Sequence, residues 1–280
     1  MAEIYLNGTF VPPERAQVSV LDRGFLFGDG VYEVIPVYGG RLFRLEEHLA
    51  RLARSLAAIR LPDPLDAPGW RDMLAELVAR NGGGELSLYL QVTRGAAPRD
   101  HAFPAQPAAT VVAMTSPLPA AEAAPAAAVV VPDLRWQRCD IKAVTLLANV
   151  LARQQAREAG AQEAILVRDG ALTEGAASNV FVVRGAEVAT PPRGPHLLAG
   201  ITRALVLELL AGTAAPVVER PVPAEELHVA DEIWLTSSSR EIVPVTRLDG
   251  RPVGAGEPGP RWRDAWQRYQ EAKQAFPAPA

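Results

Sequence analysis

The most informative segment of the chain is Ile141-Lys142-Ala143-Val144-Thr145-Leu146-Leu147, which is uncharged apart from its lysine. Of the 28 basic residues, all except this one and Lys273 are arginines. In a chain that uses arginine for nearly every positive charge, a lysine suggests a role that a guanidinium cannot perform, such as forming a Schiff base. The segment alone leaves two interpretations open: a reactive amine at Lys142, or a lysine extending to solvent from a half-buried helix.

Composition and charge limit the classes of protein that this chain can be. Its 280 residues suffice for a large core and favour two domains. The formal net charge of −4, with acidic and basic residues interspersed, gives no basic face for nucleic acid. No apolar run approaches the roughly 20 residues that span a bilayer. Residues 1–8 lack the features of an export signal, and the single cysteine, Cys139, fits a reducing compartment. We therefore expect a cytoplasmic protein without nucleic-acid or membrane partners.

Hydrophobic periodicity predicts mixed helices and strands in both halves of the chain. In the first half we expect a hairpin of 31–38 with 41–45, helices over 46–59 and 70–80, and strands over 86–93 and 110–115. The Pro/Ala-rich stretch that follows resembles a linker. We therefore predict an N-terminal α+β domain over 1–118, a linker over 119–126 and a C-terminal domain over 127–280.

The second half is also predicted to be mixed. Strands are expected over 128–131, 163–168 and 231–236, with a hairpin over 180–188. A helix should end near Gly160 and another should begin at Gly200. The aromatic stripe of the last helix, Trp262, Trp266, Tyr269 and Phe276, indicates core or subunit packing.

A lysine amine that condenses with an aldehyde usually serves pyridoxal phosphate, and such a cofactor requires further groups. A carboxylate should face its ring nitrogen, and Glu174 is a candidate, in a predicted turn between two strands. The phosphate requires a helix start, hydroxyls and a guanidinium. The candidates for those roles are Gly200-Ile201-Thr202, Ser237, Ser238 and Arg51. Simpler interpretations stay open: Glu174 as a solvated turn residue, Gly200 as a plain helix start and Arg51 as a surface residue.

A carboxylate-bearing substrate would need its own cation. The segment from Thr93 to His101 offers Arg99, which can bind a carboxylate through two hydrogen bonds, and His101 as a second donor. An exposed loop histidine without function is the alternative. Other chemistries lack their motifs: Phe27-Gly28-Asp29-Gly30 has no Walker lysine, the four histidines are too far apart in sequence for a metal site, and no Gly-x-Ser-x-Gly is present.

Taken together, these segments resemble the class IV aminotransferases, the fold-type IV pyridoxal-phosphate enzymes, and are most similar to the bacterial D-amino acid aminotransferases among them. The blocks that carry the resemblance are Asp22-Arg23-Gly24-Phe25, Phe27 to Val34, Arg94-Gly95 to His101, Arg135 to Lys142, Thr173-Glu174-Gly175, Ser178 to Phe181, Gly200 to Arg203 and Thr236-Ser237-Ser238. The resemblance implies an α+β fold with a smaller N-terminal domain and a larger C-terminal domain that contains a barrel-like sheet.

The resemblance also implies roles for individual residues. Lys142 would form the Schiff base with pyridoxal 5'-phosphate and move the proton, and Glu174 would pair with the ring nitrogen. The expected phosphate ligands are Arg51, Ile201, Thr202, Ser237 and Ser238, with Leu198 against the ring. The expected ligands of the substrate carboxylate are Tyr32, Arg99 and His101. In enzymes of this kind the Arg-x-His loop comes from the partner subunit, so a homodimer is expected.

The activity implied is ping-pong transfer of an amino group from a D-amino acid, such as D-alanine or D-glutamate, to a 2-oxo acid. Branched-chain aminotransferases are an alternative, but Tyr32-Glu33-Val34 and Leu147 depart from their pattern. Aminodeoxychorismate lyases are another, although they lack the Arg-x-His loop. A non-enzymatic scaffold is the third. Departures from the pattern of the D-amino acid enzymes occur at Phe25, Ala176, Ala177 and Arg240.

Overall fold

The computed structural model describes residues 3–118 and 124–276. These residues form two compact units, described separately below. Unit 1 contains 3–118 together with Ile141–Thr145, and unit 2 contains 124–140 together with Leu146–Phe276. Most of the predicted linker, 119–126, lies outside the described residues, so its boundaries stay a prediction. Within the described ranges, no helix is both long enough and apolar enough to cross a membrane.

The described part of unit 1 is built on a six-stranded sheet in the order β2-β1-β6-β5-β3-β4, with each neighbouring pair antiparallel. The strands are β1 (Ile4–Leu6), β2 (Thr9–Val11), β3 (Gly30–Tyr38), β4 (Arg41–Leu42), β5 (Leu86–Thr93) and β6 (Thr110–Pro117). The helices are α1 (Arg23–Phe27), α2 (Leu45–Ala58) and α3 (Ala67–Arg80), and Pro13–Arg15 form a short 3-10 helix.

The core of unit 1 follows from the two periodicities of its sequence. In β3 the residues Val31, Ile35 and Val37 alternate inward and are fully buried. In α2 a stripe at helical spacing, including Leu52 and Leu56, is also buried in the same apolar cluster. Burial of each such side chain stabilises the fold by about 1.5–3 kcal/mol. The predicted strand over 41–45 is shorter than expected, because α2 already begins at Leu45.

The segment Ile141–Thr145 is held against the start of β3. The N–H of Tyr32 donates to the carbonyl of Lys142 at 2.9 Å, and the N–H of Val144 donates to the carbonyl of Gly30 at 3.1 Å. Ala143 forms an isolated bridge with Val31 and is buried in the core cluster of unit 1. Lys142 therefore lies on an extended segment anchored to β3 and not on a helix.

The described part of unit 2 contains a nine-stranded mixed sheet in the order β12-β11-β10-β13-β14-β7-β8-β9, with β15 paired to β14. The strands are β7 (Ala126–Pro132), β8 (Glu163–Arg168), β9 (Ala171–Gly175), β10 (Asn179–Arg184), β11 (Glu187–Thr190), β12 (Val217–Glu219), β13 (Glu232–Ser237), β14 (Glu241–Leu248) and β15 (Arg251–Pro252). The helices are α4 (Leu147–Glu158), α5 (Ile201–Leu210) and α6 (Pro260–Gln274), and Ala224–Val229 form a 3-10 helix.

Two features of unit 2 bear on the expectations from sequence. Glu174 lies within β9 and not in a turn, because the chain already turns at Asp169-Gly170, where both residues have positive φ. The aromatic stripe of α6 is partly a core feature: Trp262 and Tyr269 are buried, and Trp262 stacks with Trp266 at 5.9 Å between ring centroids. The first N–H groups of α6, at Arg261 and Trp262, donate to the buried carboxylate of Glu232.

We expect Gly95→Ala to destabilise the protein more than Gly82→Ala. Both glycines have positive φ, but a Cβ at Gly95 would overlap the carbonyl oxygen of Ala108, whereas Gly82 has open space around it. At Gly82, backbone strain alone should lower the free energy of unfolding by about 1–2 kcal/mol. At Gly95, strain and overpacking together should lower it by roughly 2–5 kcal/mol. Urea unfolding of the two variants measures the difference. Equal losses would contradict the close approach at Gly95.

Candidate active site

The side chain of Lys142 lies beside an aromatic ring in unit 1. Its Nζ is 4.1 Å from the centroid of Tyr32, within the range of a cation–π contact. The Tyr32 ring stacks on Tyr89, whose pKa is raised to about 12 by burial. The backbone N–H of Lys142 donates to Ser55 Oγ on α2 at 3.3 Å. Both the backbone and the side chain of this lysine therefore have defined neighbours.

The other lysine has a different role. Lys273 Nζ lies 2.8 Å from the buried carboxylate of Glu241, in an ion pair between α6 and the start of β14. An amine held in an ion pair with a carboxylate is less available as a nucleophile. Of the two lysines in the sequence, Lys142 is therefore the better candidate for covalent chemistry.

Arg51, one turn before Ser55 on α2, is buried in an ion pair with Glu33 on β3. Its Nε donates to Glu33 Oε1 at 2.8 Å and its Nη2 to Glu33 Oε2 at 2.7 Å. His48 Nδ1 also lies 2.7 Å from Glu33 Oε2. Arg51 is thus not the surface residue of the simpler interpretation, whereas Arg54 on the same helix is exposed. We call Glu33, His48 and Arg51 the Glu33 cluster.

The charges of the Glu33 cluster are set by its burial. Burial alone would raise the pKa of Glu33, but the charge and hydrogen bonds of Arg51 outweigh it and hold the pKa well below its usual value. Burial lowers the pKa of His48, so a neutral imidazole donates Nδ1–H to Glu33. The cluster therefore contains one carboxylate, one guanidinium and one neutral ring, a combination that a core tolerates only when all partners are present.

In unit 2 a second buried carboxylate is surrounded by donors. Glu174 Oε2 accepts from the N–H of Leu198 at 3.0 Å and from Asn179 Nδ2 at 3.1 Å. Its Oε1 accepts from Arg135 Nη1. The side chain of Glu174 is 8% exposed, so the solvated turn glutamate of the simpler interpretation is wrong. Donors to both oxygens favour the ionised form, as a partner for a protonated ring nitrogen requires.

The start of α5 provides a place for an anion in unit 2. Gly200 is the N-cap of this helix, and because it has no capping side chain the first N–H groups remain available to a ligand. A Cβ at Gly200 would overlap Asn179 Oδ1, so a larger residue there would displace the amide that binds Glu174. Ile201 and Thr202 follow as the first helical residues and are both buried.

Hydroxyl groups are also present on the neighbouring hairpin of β13 and β14. Ser237 and Ser238 are half-buried where the strand ends. Thr236 is the cross-strand partner of Asn179, and its buried Oγ1 has no hydrogen-bond partner within the described part of the chain. An unsatisfied buried hydroxyl is rare and indicates a missing acceptor or donor. The donor set of unit 2 thus fits a phosphate group.

Arg99 and His101 lie on an exposed loop of unit 1, between β5 and β6. The guanidinium of Arg99 is 5.3 Å from the ring centroid of Phe27, and the His101 ring is 5.3 Å from the same ring. The backbone of the loop is held by Arg23, whose guanidinium donates to the carbonyls of residues 100–102. The loop is therefore anchored while its two functional candidates remain accessible.

Several polar residues of the Glu33 cluster and of the surroundings of Glu174 were not predicted from the sequence. Glu33 is in phase with the buried Val31 and Ile35 of β3, which could have identified it as an inward-facing charge. Asn179 and Arg135 had no recognised role, although both lie in the blocks quoted above. Arg240, unexpected in its turn, is half-buried with Nη1 3.7 Å from Glu163.

Comparison with known proteins shows the family to which the chain belongs. Residues 30–248 match the family model of amino-transferase class IV. The chain is 43% identical over 273 residues to a D-alanine aminotransferase from Bacillus licheniformis, with 96% of each chain covered. A D-alanine aminotransferase from Staphylococcus haemolyticus is 37% identical, covering 98% of this chain and 99% of the relative.

Solved structures give the same result for the fold. The branched-chain amino acid aminotransferase from Escherichia coli superposes with a TM-score of 0.88 at 27% identity, covering 96% of this chain and 93% of that one. The chain belongs to the class IV aminotransferases. The family and the α+β, fold-type IV architecture predicted from sequence are therefore confirmed.

We expect Glu33→Gln to destabilise the protein by about 3–5 kcal/mol at neutral pH, since it leaves the buried Arg51 without its counter-charge. Because the pKa of Glu33 is lowered in the folded state, its contribution is complete above the unfolded value of about 4.3 and is lost as the pH falls below it. The stability difference between the wild type and the variant should therefore shrink on acidification.

Glu46→Gln is the matched control for that measurement. Glu46 lies on the same helix and also binds an arginine, Arg71, through two hydrogen bonds, but both side chains are exposed. Ion pairs on the surface contribute little to stability, so we expect Glu46→Gln to change the free energy of unfolding very little. Urea unfolding across pH compares the two variants, and a neutral effect of Glu33→Gln would refute the buried ion pair.

Proposed function

We propose that the protein is a pyridoxal-phosphate-dependent transaminase that transfers the amino group of a D-amino acid, of the D-alanine or D-glutamate type, to a 2-oxo acid by a ping-pong mechanism. The observation that carries the proposal is the setting of Lys142: a lysine fixed by backbone pairing to β3 and beside Tyr32, with its charge acting on His48 of the Glu33 cluster, in a chain that uses arginine almost everywhere else. The D-alanine aminotransferases cover nearly the full chain at up to 43% identity and support the choice of D-amino acids.

The cofactor supplies one piece of chemistry when bound: its ring accepts the electron pair left at Cα after the substrate loses a proton. The residues of this chain do the rest. Lys142 Nζ would hold the cofactor through its aldehyde, with loss of water, and, once released by the incoming amine, would act as the base and acid that moves the substrate proton. Glu174 would pair with the ring nitrogen, and Leu198 would pack on the ring.

The remaining predicted residues bind the two anionic groups. For the phosphate we propose Arg51, the start of α5 at Ile201 and Thr202, and the hydroxyls of Ser237 and Ser238. For the substrate carboxylate we propose Tyr32, Arg99 and His101. When these groups fix the substrate carboxylate, only one enantiomer directs its Cα hydrogen toward the lysine, which explains a preference for that enantiomer.

We further propose a cytoplasmic homodimer in which the loop of Arg99 and His101 serves the partner's site. Exposure of both side chains is consistent with that role. The single cysteine supports a reducing compartment.

We expect Lys142→Arg to abolish covalent attachment of the cofactor and to lower kcat by roughly 10²–10⁴-fold or more, because a guanidinium neither condenses with the aldehyde nor carries the proton. Lys273→Arg is the matched control, since an arginine can retain the ion pair with Glu241. Borohydride reduction followed by peptide mass spectrometry locates the adduct. An adduct at Lys273, or normal turnover of Lys142→Arg, would exclude the assignment.

Mixing two inactive variants tests the shared site. In a heterodimer of Lys142→Arg with Arg99→Ala, one site carries both substitutions and the other carries neither, so we expect about half of the wild-type activity per heterodimer. D-alanine and a 2-oxo acid are the substrates. If remixed subunits stay as inactive as the parents after confirmed exchange, the loop acts within its own protomer.

A further inference from the structure

The buried carboxylate of Glu174 is one end of a chain of charges in unit 2. Arg135, which donates to Glu174 through Nη1, also binds Asp133 through two bonds, from Nε at 2.9 Å and from Nη2 at 2.8 Å. Behind it, Arg168 Nη2 lies 3.1 Å from Asp133 Oδ1. The four side chains, Asp133, Arg135, Glu174 and Arg168, carry two negative and two positive charges.

Asp133 fixes the direction in which the guanidinium of Arg135 points. Its Oδ2 accepts from Thr173 Oγ1 at 2.9 Å, and its Oδ1 accepts from the N–H of Arg135 at 3.1 Å. Burial would raise the pKa of Asp133, but the hydrogen bonds and charge of Arg135 lower it to about 2. Asp133 is therefore charged at every working pH and cannot rotate without losing several bonds.

The other groups near Arg135 leave its charge in place. Arg168 donates to the carbonyl of Arg135 at 2.8 Å and contacts His196 Nδ1 at 2.8 Å. The nearby thiol of Cys139 has its pKa raised by burial and is neutral. Burial opposes the charge of Arg135, but Asp133 and Glu174 outweigh it and raise its pKa. The guanidinium is thus a permanent donor to Glu174.

A permanent cation beside Glu174 changes how this carboxylate shares a proton with a neighbouring base. Stabilising the carboxylate lowers its affinity for the proton, so the proton stays on the other partner. Resting on the function proposed above, we propose that Arg135, oriented by Asp133, is a positioning residue that keeps Glu174 anionic and thereby keeps the proton on the ring nitrogen of the bound cofactor. Arg135 acts through Glu174 and does not touch the substrate.

The test compares Arg135→Gln with Arg135→Lys and with the control Arg138→Gln. Arg138 lies three residues further along and pairs with Asp140, but both side chains are exposed. Each protein is loaded with pyridoxal 5'-phosphate labelled with ¹⁵N in the ring, and the ring-nitrogen chemical shift is followed across pH. Separately, kcat and KM are measured with D-alanine.

We expect the ring nitrogen to remain protonated across the neutral range in the wild type and in Arg138→Gln, and to lose its proton within that range in Arg135→Gln. A shift of one pKa unit corresponds to about tenfold, so we expect kcat to fall about tenfold or more while KM changes little. Arg135→Lys retains a positive charge, so it should restore part of the ring-nitrogen protonation and part of kcat.

Two outcomes would overturn the proposal: a folded Arg135→Gln with the wild-type ring-nitrogen titration, or a loss of kcat that Arg135→Lys does not reduce. If Arg135→Gln fails to fold, Asp133→Asn replaces it, since this variant frees the guanidinium from its anchor, and an unchanged titration there is equally decisive against the proposal. Failure of the proposed function is distinct: the wild type itself would then bind no pyridoxal phosphate and show no transamination.

Discussion

Backbone pairing between Ile141–Thr145 and the start of β3 is the constraint that fixes the position of Lys142 in unit 1. It places a lysine on an extended segment that has no helix or regular sheet of its own. Two main-chain hydrogen bonds and the burial of Ala143 hold it there, so the amine extends from a rigid base. A side chain on such a base loses little conformational freedom when it binds a ligand, which is what a preorganised site requires.

The two units solve the problem of buried charge in the same way. In unit 1 the carboxylate of Glu33 is matched by Arg51 and a neutral His48. In unit 2 Glu174 and Asp133 are matched by Arg135 and Arg168. Each group is close to electrical neutrality before any ligand arrives. Neutrality offsets the cost of burial, and multiple bonds fix the orientation of each functional side chain. These pairs contribute specific geometry at the site more than added stability.

Much of the fold and part of the candidate site could be predicted from the sequence, because the signals were local. The apolar stripe of α2 and the strands β5 and β8 follow directly from periodicity. The position of Glu174 was misjudged although Asp169-Gly170, a strong hairpin signal, stood before it. The bond from Arg135 to Glu174 could not be foreseen, since the pairing of β7, β8 and β9 brings together residues that are 39 positions apart. Asp133, in contrast, is a local partner two residues before Arg135.

The scarcity of lysine also matters for practical handling of the protein. Reagents that couple to primary amines have only Lys142, Lys273 and the chain terminus as targets. Lys273 is engaged by a buried carboxylate, and Lys142 is the residue to which we assign the covalent chemistry. Attachment to a solid support or labelling with a dye is therefore better done through an engineered tag than through amines.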